Sequence, residues 1–394
     1  MNKVLLVIPE NSYKSNDFVT AAKKLSIPFS IITDSQQVSA EFSDNIIVTS
    51  FDKSITPEIL NQLSDVTHVL PVDHSSLIYA SKLKDSLTAI GNTKVSIKTT
   101  MNKYLSRVIF NEVTDFEIAH NYVNNIQDIN DFTSRHGDAV LKPTMGTASN
   151  RVIKITKKNQ NSEIISKIIT ECNKNELVIE EFIEGKEYAF EGMLIDSVLY
   201  NFVVFEKPVI YTEPYFEESI YITPSDLSDT VVDMTKSKLQ DASLKLGLEN
   251  GPIHAEFKII DSNIFIIEIN PRMIGGLCSR CLSFGLFKIS LEELILSSFI
   301  SNQFKELELL SNYVGVLMLP VPNTGKFISI NDDELKGIQN ISSVDITVTR
   351  NSQIKMPPHG EKYLGFVFSQ GENKNVVLTA LEKALEKSSP VIEY

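Results

Sequence analysis

Two glutamates that face each other across a predicted β-hairpin are the feature of this sequence with the clearest chemical meaning. Two apolar-rich runs flank the short polar turn Asp261–Asn263, which is typical of a hairpin. If the loop is Asp261–Asn263, Ile260 pairs with Ile264, and Glu256 then lies directly opposite Glu268. Like charges directly opposed on a sheet are destabilising, so this pair needs a solvent exit, a shared proton or a cation.

The neighbouring polar residues favour the cation. In the same register His254 lies opposite Asn270, and strand alternation places both on the face that carries Glu256 and Glu268. Carboxylate and amide oxygens are the ligands that Mg²⁺ prefers beside phosphates. The pattern therefore predicts a Mg²⁺ site on Glu256, Glu268 and Asn270, with a solvated acidic edge as the alternative. The other face is predicted to be buried and carries Ile253, Ala255, Phe257, Ile259, Phe265, Ile267 and Ile269.

Length, net charge and cysteine count limit the classes of protein to which this chain can belong. The chain has 394 residues and a formal charge of 37 − 50 = −13, which argues against a dedicated nucleic-acid binder. At about 100–200 residues per domain, this length predicts two to three domains. No apolar run approaches the ~18 residues of a transmembrane helix. Three cysteines make no disulfide framework, so we expect a cytoplasmic protein without a membrane partner.

Strands and helices alternate in the first ~110 residues, which predicts a doubly wound parallel sheet. The predicted strands are Val4–Ile8, Phe29–Thr33, Asn45–Val48 and His68–Pro71. Neither G-x-G-x-x-G nor G-x-x-x-x-G-K-[ST] occurs, so a bound nucleotide requires another device. One helical segment is predicted near Lys98–Asn111, and a small α+β appendage with a closing helix ends the chain.

A series of motifs in fixed order makes the sequence resemble the ATP-grasp superfamily. Glu268-Ile-Asn-Pro-Arg272, with Gly275-Gly276 after it and His254-Ala-Glu256 before it, resembles the family's metal-binding end. The nucleotide-binding end is matched by Lys103, by Val140-Leu-Lys142-Pro143, by the small-residue loop Gly146–Ser149, by Glu180-Glu181-Phe182-Ile183 and by Glu187. Asn150 and Arg151 make this loop less glycine-rich than is usual in the family.

The resemblance implies a fold and a domain division. The fold class is α/β (α+β overall): an ATP-grasp fold with an N-terminal doubly wound domain, a lid subdomain, a central antiparallel sheet and a small C-terminal appendage. The implied domains are 1–112, 113–310 with the lid at about 131–186, and 311–394. The N-terminal and C-terminal parts fit the carboxylate–amine ligase branch, which includes amino-acid (dipeptide) ligases.

The resemblance also implies a reaction, in which ATP phosphorylates a carboxylate and an amine displaces phosphate to leave an amide and ADP. Lys103 and Lys142 would hold phosphates, and Ser149 would belong to the lid loop over them. Glu180 to Ile183 would hold adenine, with the Glu180 carboxylate accepting from the exocyclic amine, and Glu187 would bind ribose. Mg²⁺, with Mn²⁺ as an alternative ion, would lie on the paired glutamates and Asn270.

On the substrate side, Arg272 would bind the carboxylate and stabilise the tetrahedral intermediate, beside an anion-binding turn at Gly275 and Gly276. Pro214–Pro224 is similar to a strand of amino-acid ligases in which Glu precedes His by three residues. Glu218 fits that Glu, a candidate partner for a substrate ammonium, and Tyr221 replaces the His. An aromatic core-packing strand is the alternative for Tyr221. His254 is a further substrate-side candidate, and a homodimer is common among the proteins resembled.

Two other functions remain open at this point: an ATP-grasp enzyme of purine-type or bicarbonate- or formate-activating chemistry, and a non-catalytic ATP-binding module. The C-terminal part and the Glu218 region favour a ligase acting on small molecules over the first, and the near-complete set of charged residues argues against the second. Cys278-Ser-Arg-Cys281 lacks the second pair that a four-cysteine zinc site requires. Asp73 and His74 follow a strand of the predicted parallel sheet, where ligands bind in such folds, although Asp73 also suits a helix cap.

Overall fold

A computed structural model describes residues 2–10, 12–35, 46–146, 150–208, 214–216, 219–305, 307–310, 312–357 and 363–393. The described chain forms four sheets, of which the largest has eight strands, two have four strands each, and a short one near the C-terminal end has three. No helix within these ranges is long and apolar enough to cross a membrane.

The N-terminal sheet is parallel, as predicted, with its strands in the order β3-β2-β1-β4. β1 is buried on both faces because Leu6 packs in a core with helix α1 while Val7 packs in another with helix α3. This double burial is the doubly wound arrangement. The bounds are β1 (Val4–Ile8), α1 (Ser15–Lys24), β2 (Phe29–Thr33), β3 (Ile46–Val48), α2 (Pro57–Gln62), β4 (His68–Pro71), a 3-10 turn (His74–Ser76) and α3 (Leu77–Leu87).

Two helices, α4 (Lys94–Met101) and α5 (Lys103–Val113), lead into a smaller antiparallel sheet that we call the lid. Its strands lie in the order β5-β8-β6-β7. A separate apolar core holds the sheet against its two helices. The lid comprises β5 (His120–Val123), α6 (Ile126–His136), β6 (Ala139–Pro143), β7 (Ile153–Ile155), α7 (Glu163–Glu171) and β8 (Leu177–Glu181).

The central sheet has eight strands in the order β13-β12-β9-β10-β11-β14-β18-β16. Because its last three strands come from the C-terminal part of the chain, that part extends the central sheet. The first elements are β9 (Lys186–Ile195), β10 (Val198–Lys207), β11 (Ile220–Thr223), α8 (Asp229–Lys245), β12 (Gly251–Ile260), β13 (Asn263–Asn270), a 3-10 helix (Cys278–Phe284) and α9 (Leu291–Ser301). The later ones are β14 (Tyr313–Leu319), β15 (Gly325–Ser329), α10 (Asp332–Lys336), β16 (Ile341–Ile346), β17 (Gln353–Ile354), β18 (Gly365–Gly371), α11 (Lys374–Lys387) and β19 (Val391–Glu393).

The β12–β13 hairpin has the predicted pairs Glu256–Glu268 and His254–Asn270, but it reaches them by a different route. Its turn contains only Asp261 and Ser262, both with positive φ, so Ile260 pairs with Asn263 rather than with Ile264. A β-bulge at Ile267 then adds one residue to β13 and restores the predicted register.

The bulge also corrects the predicted buried face of the hairpin. Ile264, Ile266 and Ile269 belong to its apolar core, whereas the prediction had Phe265 and Ile267 there. The shorter turn shifts the first half of β13 by one residue, and this reverses which side chains face the core. Ile267 instead lines the cavity described below.

Candidate active site

Lys103 is placed by a helix break that the sequence pattern did not predict. The expected continuous helix near 98–111 is wrong, because α4 ends at Met101 and α5 begins at Lys103. Between them the Asn102 side chain caps α5 by accepting from the amides of Tyr104 and Leu105. The cap sets Lys103 in the first turn, where its backbone N–H donates to the Thr144 carbonyl at 2.8 Å. The Lys103 Nζ donates to the Gly146 carbonyl at 2.6 Å and lies 3.7 Å from Glu268 Oε1.

Lys142 and Glu180 form a buried ion pair between adjacent lid strands, with Lys142 Nζ 2.7 Å from Glu180 Oε2. Arg107 donates to the same oxygen at 3.0 Å, so two cations share one carboxylate oxygen. Glu180 Oε1 is buried and has no hydrogen-bond partner in the described chain. Burial alone would raise the pKa of Glu180, but Arg107 and Lys142 lower this pKa to about 2. Burial lowers the pKa of Lys142, which Glu180 opposes.

Glu256 and Glu268 are partly buried, and the cations around them favour their charged forms. Burial alone would raise the pKa of Glu256, yet Lys207, 3.5 Å away, and His254 hold it below its ordinary value. The pKa of Glu268 is lowered in the same way, chiefly by Lys103 and then by Lys142. The two carboxylates therefore form a paired anionic site surrounded by cations.

His254 joins this pair to the loop that follows β13. Its Nδ1 lies 2.5 Å from Glu191 Oε1, and its Nε2 lies 3.3 Å from Glu256 Oε1. The second oxygen of Glu191 accepts from the Ile274 amide at 2.9 Å. Burial would lower the pKa of His254, but Glu191 and Glu256 raise this pKa to about 9. Asn270 is buried on β13 opposite His254.

Glu187 lies between two lysines from the neighbouring strands. Lys207 on β10 and Lys258 on β12 are its direct cross-strand partners, with Nζ–carboxylate distances of 2.5 and 3.7 Å. Lys258 also donates to the Ile183 carbonyl at 2.9 Å, so this carbonyl of the segment Glu180–Ile183, which we call the hinge, is already engaged. Its ammonium lies 4.9 Å from the centre of the Phe182 ring.

The Arg272 loop lies beyond the end of β13. The Arg272 guanidinium donates to the Met273 carbonyl at 2.7 Å. Gly276 has a φ of +57°, and a Cβ added there would lie 2.7 Å from the Phe366 ring, so this position requires glycine. Nothing within 4 Å would meet a Cβ at Gly275. The loop therefore brings an unhindered backbone turn close to Arg272.

His74 lies in the 3-10 turn that follows strand β4 of the N-terminal sheet. Its Nδ1 is buried without a hydrogen-bond partner in the described chain. Burial, together with the charges of Arg272 and Lys103, lowers the pKa of His74 to about 3. The adjacent Asp73 accepts from Lys14 at 3.1 Å and also from the Ser12 hydroxyl.

Several of these residues line a cavity of about 1160 Å³ of empty space, part of which is open to solvent. Of the predicted residues, its lining includes Lys103, Lys142, Glu180, Glu181, Phe182, Ile183, Glu187, Glu256 and Glu268. The lining does not include His254, Asn270, Arg272, Gly275, Gly276 or Tyr221. Tyr221 is buried, with its ring 5.8 Å from that of Phe205 and 5.2 Å from the Lys207 ammonium. Ser149 and Glu218 lie outside the described residues.

Sequence reasoning missed Arg107, Glu191, Lys207 and Lys258. A usable signal existed for the strand residues, because each is a charged residue within a mostly buried strand. Lys207 and Lys258 also become partners of Glu187 once the order of the strands is known. Arg107 lies one helical turn after Lys103, which indicates a shared helix face and nothing about its partners.

The donor set fits a hard divalent cation. Glu256 and Glu268 offer ionised oxygens from adjacent strands, and the Asn270 amide lies on the same strand as Glu268. No group of three or more acidic, His or Cys residues in metal-binding arrangement occurs in the described ranges. Mg²⁺ commonly uses one or two carboxylates and completes its shell with water and phosphate oxygens, so this small set suits it.

Comparison with known proteins finds a family domain in the middle of the chain. Residues 136–281 match the model of the ATP-grasp domain. An uncharacterized protein of Methanocaldococcus jannaschii is 26% identical over 229 residues, covering 57% of this chain and 55% of that protein. The match thus spans little more than half of this curated relative.

Solved structures match along the whole chain. The L-amino acid ligase from Bacillus licheniformis has a TM-score of 0.81 at 18% identity, covering 100% of this chain and 99% of that one. The carboxyaminoimidazole ribonucleotide synthase from Aspergillus clavatus, solved with ATP, has a TM-score of 0.74 at 14% identity, with 98% of each chain covered. At these identities the likeness shows a shared fold.

Proposed function

Because this chain contains an ATP-grasp domain within an ATP-grasp fold, we propose that it is an ATP-dependent carboxylate–amine ligase. One observation carries the proposal: two ionised, opposed glutamates share a single cavity with Lys103 and Lys142. Such a constellation neutralises and orients phosphates, and phosphoryl transfer depends mainly on positioning and charge stabilisation.

The nucleotide occupies the cavity with its base against the hinge and its phosphates toward the hairpin. Glu180 and the backbone of Glu181 to Ile183 receive adenine, and Glu187 accepts from the ribose hydroxyls. Lys142, deeper in the cavity, and Lys103, at the lid loop, hold phosphate oxygens. A Mg²⁺ ion held by Glu256, Glu268 and Asn270 would neutralise charge on the β- and γ-phosphates.

The reaction follows from this placement. An oxygen of the substrate carboxylate attacks the γ-phosphorus, the bond to the β-phosphate oxygen breaks, and an acyl phosphate and ADP form. The amine then attacks the acyl carbon, phosphate leaves, and the amine loses a proton to give the amide. Arg272 and the Gly275–Gly276 turn stabilise the negative charge on the tetrahedral oxygen.

An amino acid is the proposed carboxylate or amine substrate. Support comes from the whole-chain likeness to an L-amino acid ligase and from the polar residues around the Arg272 loop. His254, which is tied to Glu191 and Glu256, lies between the metal-binding end and this loop. Neutral His74 approaches the same region from the N-terminal sheet and offers a hydrogen bond without charge.

Phosphate release from ATP and Mg²⁺ tests the proposal when it is measured across a matrix of amino acids, singly and in pairs. We expect release only in particular wells, with a product lighter than the two substrates by one water in the mass spectrum. Silence in every well, with ATP still bound, would refute the amino-acid ligase and favour purine-type or bicarbonate-type chemistry. Light scattering on the same sample tests the predicted homodimer.

A further inference from the structure

Arg107 connects three parts of the proposed nucleotide site, and no motif assigned it a role. It lies in the first half of α5, and its side chain is only 2% exposed. Its Nη2 donates to Glu180 Oε2 at 3.0 Å, and its Nη1 donates to the Ile266 carbonyl at 2.7 Å. The second partner adjoins the bulge at Ile267 that sets Glu268 opposite Glu256. A single guanidinium therefore contacts the hinge strand and the metal-binding strand from the helix that carries Lys103.

The shape of the guanidinium explains why this position needs arginine. Its planar fork reaches the Glu180 carboxylate with one nitrogen and the Ile266 carbonyl with another. A lysine offers one compact ammonium and cannot span both acceptors with fixed geometry. The bulge interrupts the hydrogen bonds between β13 and its neighbour. The Arg107 side chain, from outside the sheet, stabilises it by donating to the adjacent Ile266 carbonyl.

Arg107 also determines how Glu180 can meet a base. Because Arg107 and Lys142 both bind Oε2, the carboxylate keeps Oε1 without a partner. Glu180 lines the cavity and is only 5% exposed, so an unpartnered oxygen there is a costly feature unless a ligand satisfies it. An ionised carboxylate only accepts hydrogen bonds. It therefore favours a base with an amino group over one with a carbonyl at the same position.

We infer that Arg107 is a positioning residue that turns Glu180 into a fixed acceptor and so makes the cavity prefer a 6-aminopurine over a 6-oxopurine nucleotide. The inference rests on the proposed use of the cavity for a nucleotide. It concerns nucleotide selection alone and does not require ligase turnover.

Calorimetric titration of ADP and IDP tests the inference, because these nucleotides differ in the base and share ribose and phosphates. We expect the wild type to bind ADP about 10–100-fold more tightly than IDP, the range for one hydrogen bond to a charged group. Arg107→Met should bring the ADP/IDP ratio close to one. Arg107→Lys should restore part of the ratio, since charge returns without the fork.

Glu180→Gln provides the second variant, because an amide can offer either its oxygen or its NH₂ and should also lose the preference. If Arg107 acts through Glu180, adding Arg107→Met to Glu180→Gln leaves the ADP/IDP ratio unchanged. The control is Arg135→Met, which removes an exposed arginine from α6 and should keep the wild-type ratio. Circular dichroism checks that each variant is folded.

The outcomes separate the two proposals. If Arg107→Met weakens ADP and IDP equally and keeps the ratio, Arg107 is merely structural and the inference is overturned, while the nucleotide site stands. If the folded wild type binds neither nucleotide, the proposed nucleotide function fails and the inference fails with it. A ratio that collapses in both single variants, with no further change in the double variant, supports the inference.

Discussion

Two arginines join distant parts of this chain, and they do so in different ways. Arg107 is buried in the cavity wall and shares one oxygen of Glu180 with Lys142, leaving the other oxygen without a partner. Arg280 is 33% exposed and binds both oxygens of Asp17, at 2.9 and 3.1 Å, and Asp345 at 3.0 Å.

The Arg280 junction links α1 of the N-terminal sheet, the 3-10 helix after the Arg272 loop, and β16 at the end of the central sheet. Its charges are paired and its hydrogen bonds lie within the protein. The cavity, in contrast, keeps an unused acceptor on Glu180 and two opposed carboxylates whose mutual repulsion is offset only by the surrounding cations. A buried polar atom without a hydrogen-bond partner thus indicates a ligand site, whereas charged groups that are all paired within the protein indicate a structural junction.

The largest effect that separates the two regions should come from Glu268→Gln. Removing a charge that holds the metal and the phosphates should lower ATP turnover by about 10²–10³-fold, the usual range for one preorganised electrostatic group. Its thermal stability should change little, because the relief of the repulsion from Glu256 offsets the lost attraction to Lys103. Glu308→Gln is the control, since Glu308 is 72% exposed and pairs only with Lys288 in the described chain. Equal turnover in the two variants would contradict the assignment of Glu268.

Acid should weaken the cavity region through Glu180. Its pKa in the folded protein is about 2, below the ordinary 4.5, so its stabilising contribution is present above about pH 4.5 and is lost as the pH falls toward 2. The difference in unfolding free energy between wild type and Glu180→Gln should therefore shrink over that interval. Urea unfolding at several pH values measures this difference, and a constant difference would show that Glu180 is not held ionised.

Arg280→Met should lower stability and leave nucleotide binding unchanged, whereas Glu268→Gln should mainly lower ATP turnover. Leaving Asp17 and Asp345 without their partner should cost about 1–2 kcal/mol of unfolding free energy, because water partly screens this junction. ATP affinity should remain that of the wild type, since Arg280 does not line the cavity. A loss of nucleotide affinity without a loss of stability would erase the distinction between the two arginines.

The smallest effect is expected at an exposed pair. Lys245 on α8 lies 2.7 Å from Glu112 on α5, and the side chains are 48% and 54% exposed. Lys245→Ala should lower the unfolding free energy by less than ~1 kcal/mol, as is usual for surface ion pairs. Raising the salt concentration should remove most of that difference. A loss as large as that of Arg280→Met would mean that proximity alone, rather than burial, sets these energies.

Local pattern was enough to predict much of the fold. The strands Val4–Ile8, Phe29–Thr33 and His68–Pro71 have their predicted bounds. Turns and helix caps were predicted less well. The sequence did not reveal the break at Asn102, because a capping side chain acts within one turn of an otherwise continuous helical pattern.

The β12–β13 hairpin shows both what the local pattern predicted correctly and what it missed. The Glu256–Glu268 pair is confirmed, although the predicted turn was one residue too long. The bulge at Ile267 compensates for the shorter turn. Nothing local required that bulge, whose neighbouring carbonyl accepts from Arg107, 159 residues earlier in the chain.

The sequence by itself determined the elements, their order and the residue types that could hold a nucleotide and a metal. These follow from periodicity, from turn chemistry and from motifs within short segments. The tertiary structure decided which charges meet: Arg107 with Glu180, Glu187 with Lys207 and Lys258, and Glu191 with His254. The reason is physical, because these contacts depend on which strands become neighbours, and burial then sets the strength and pKa of each charge.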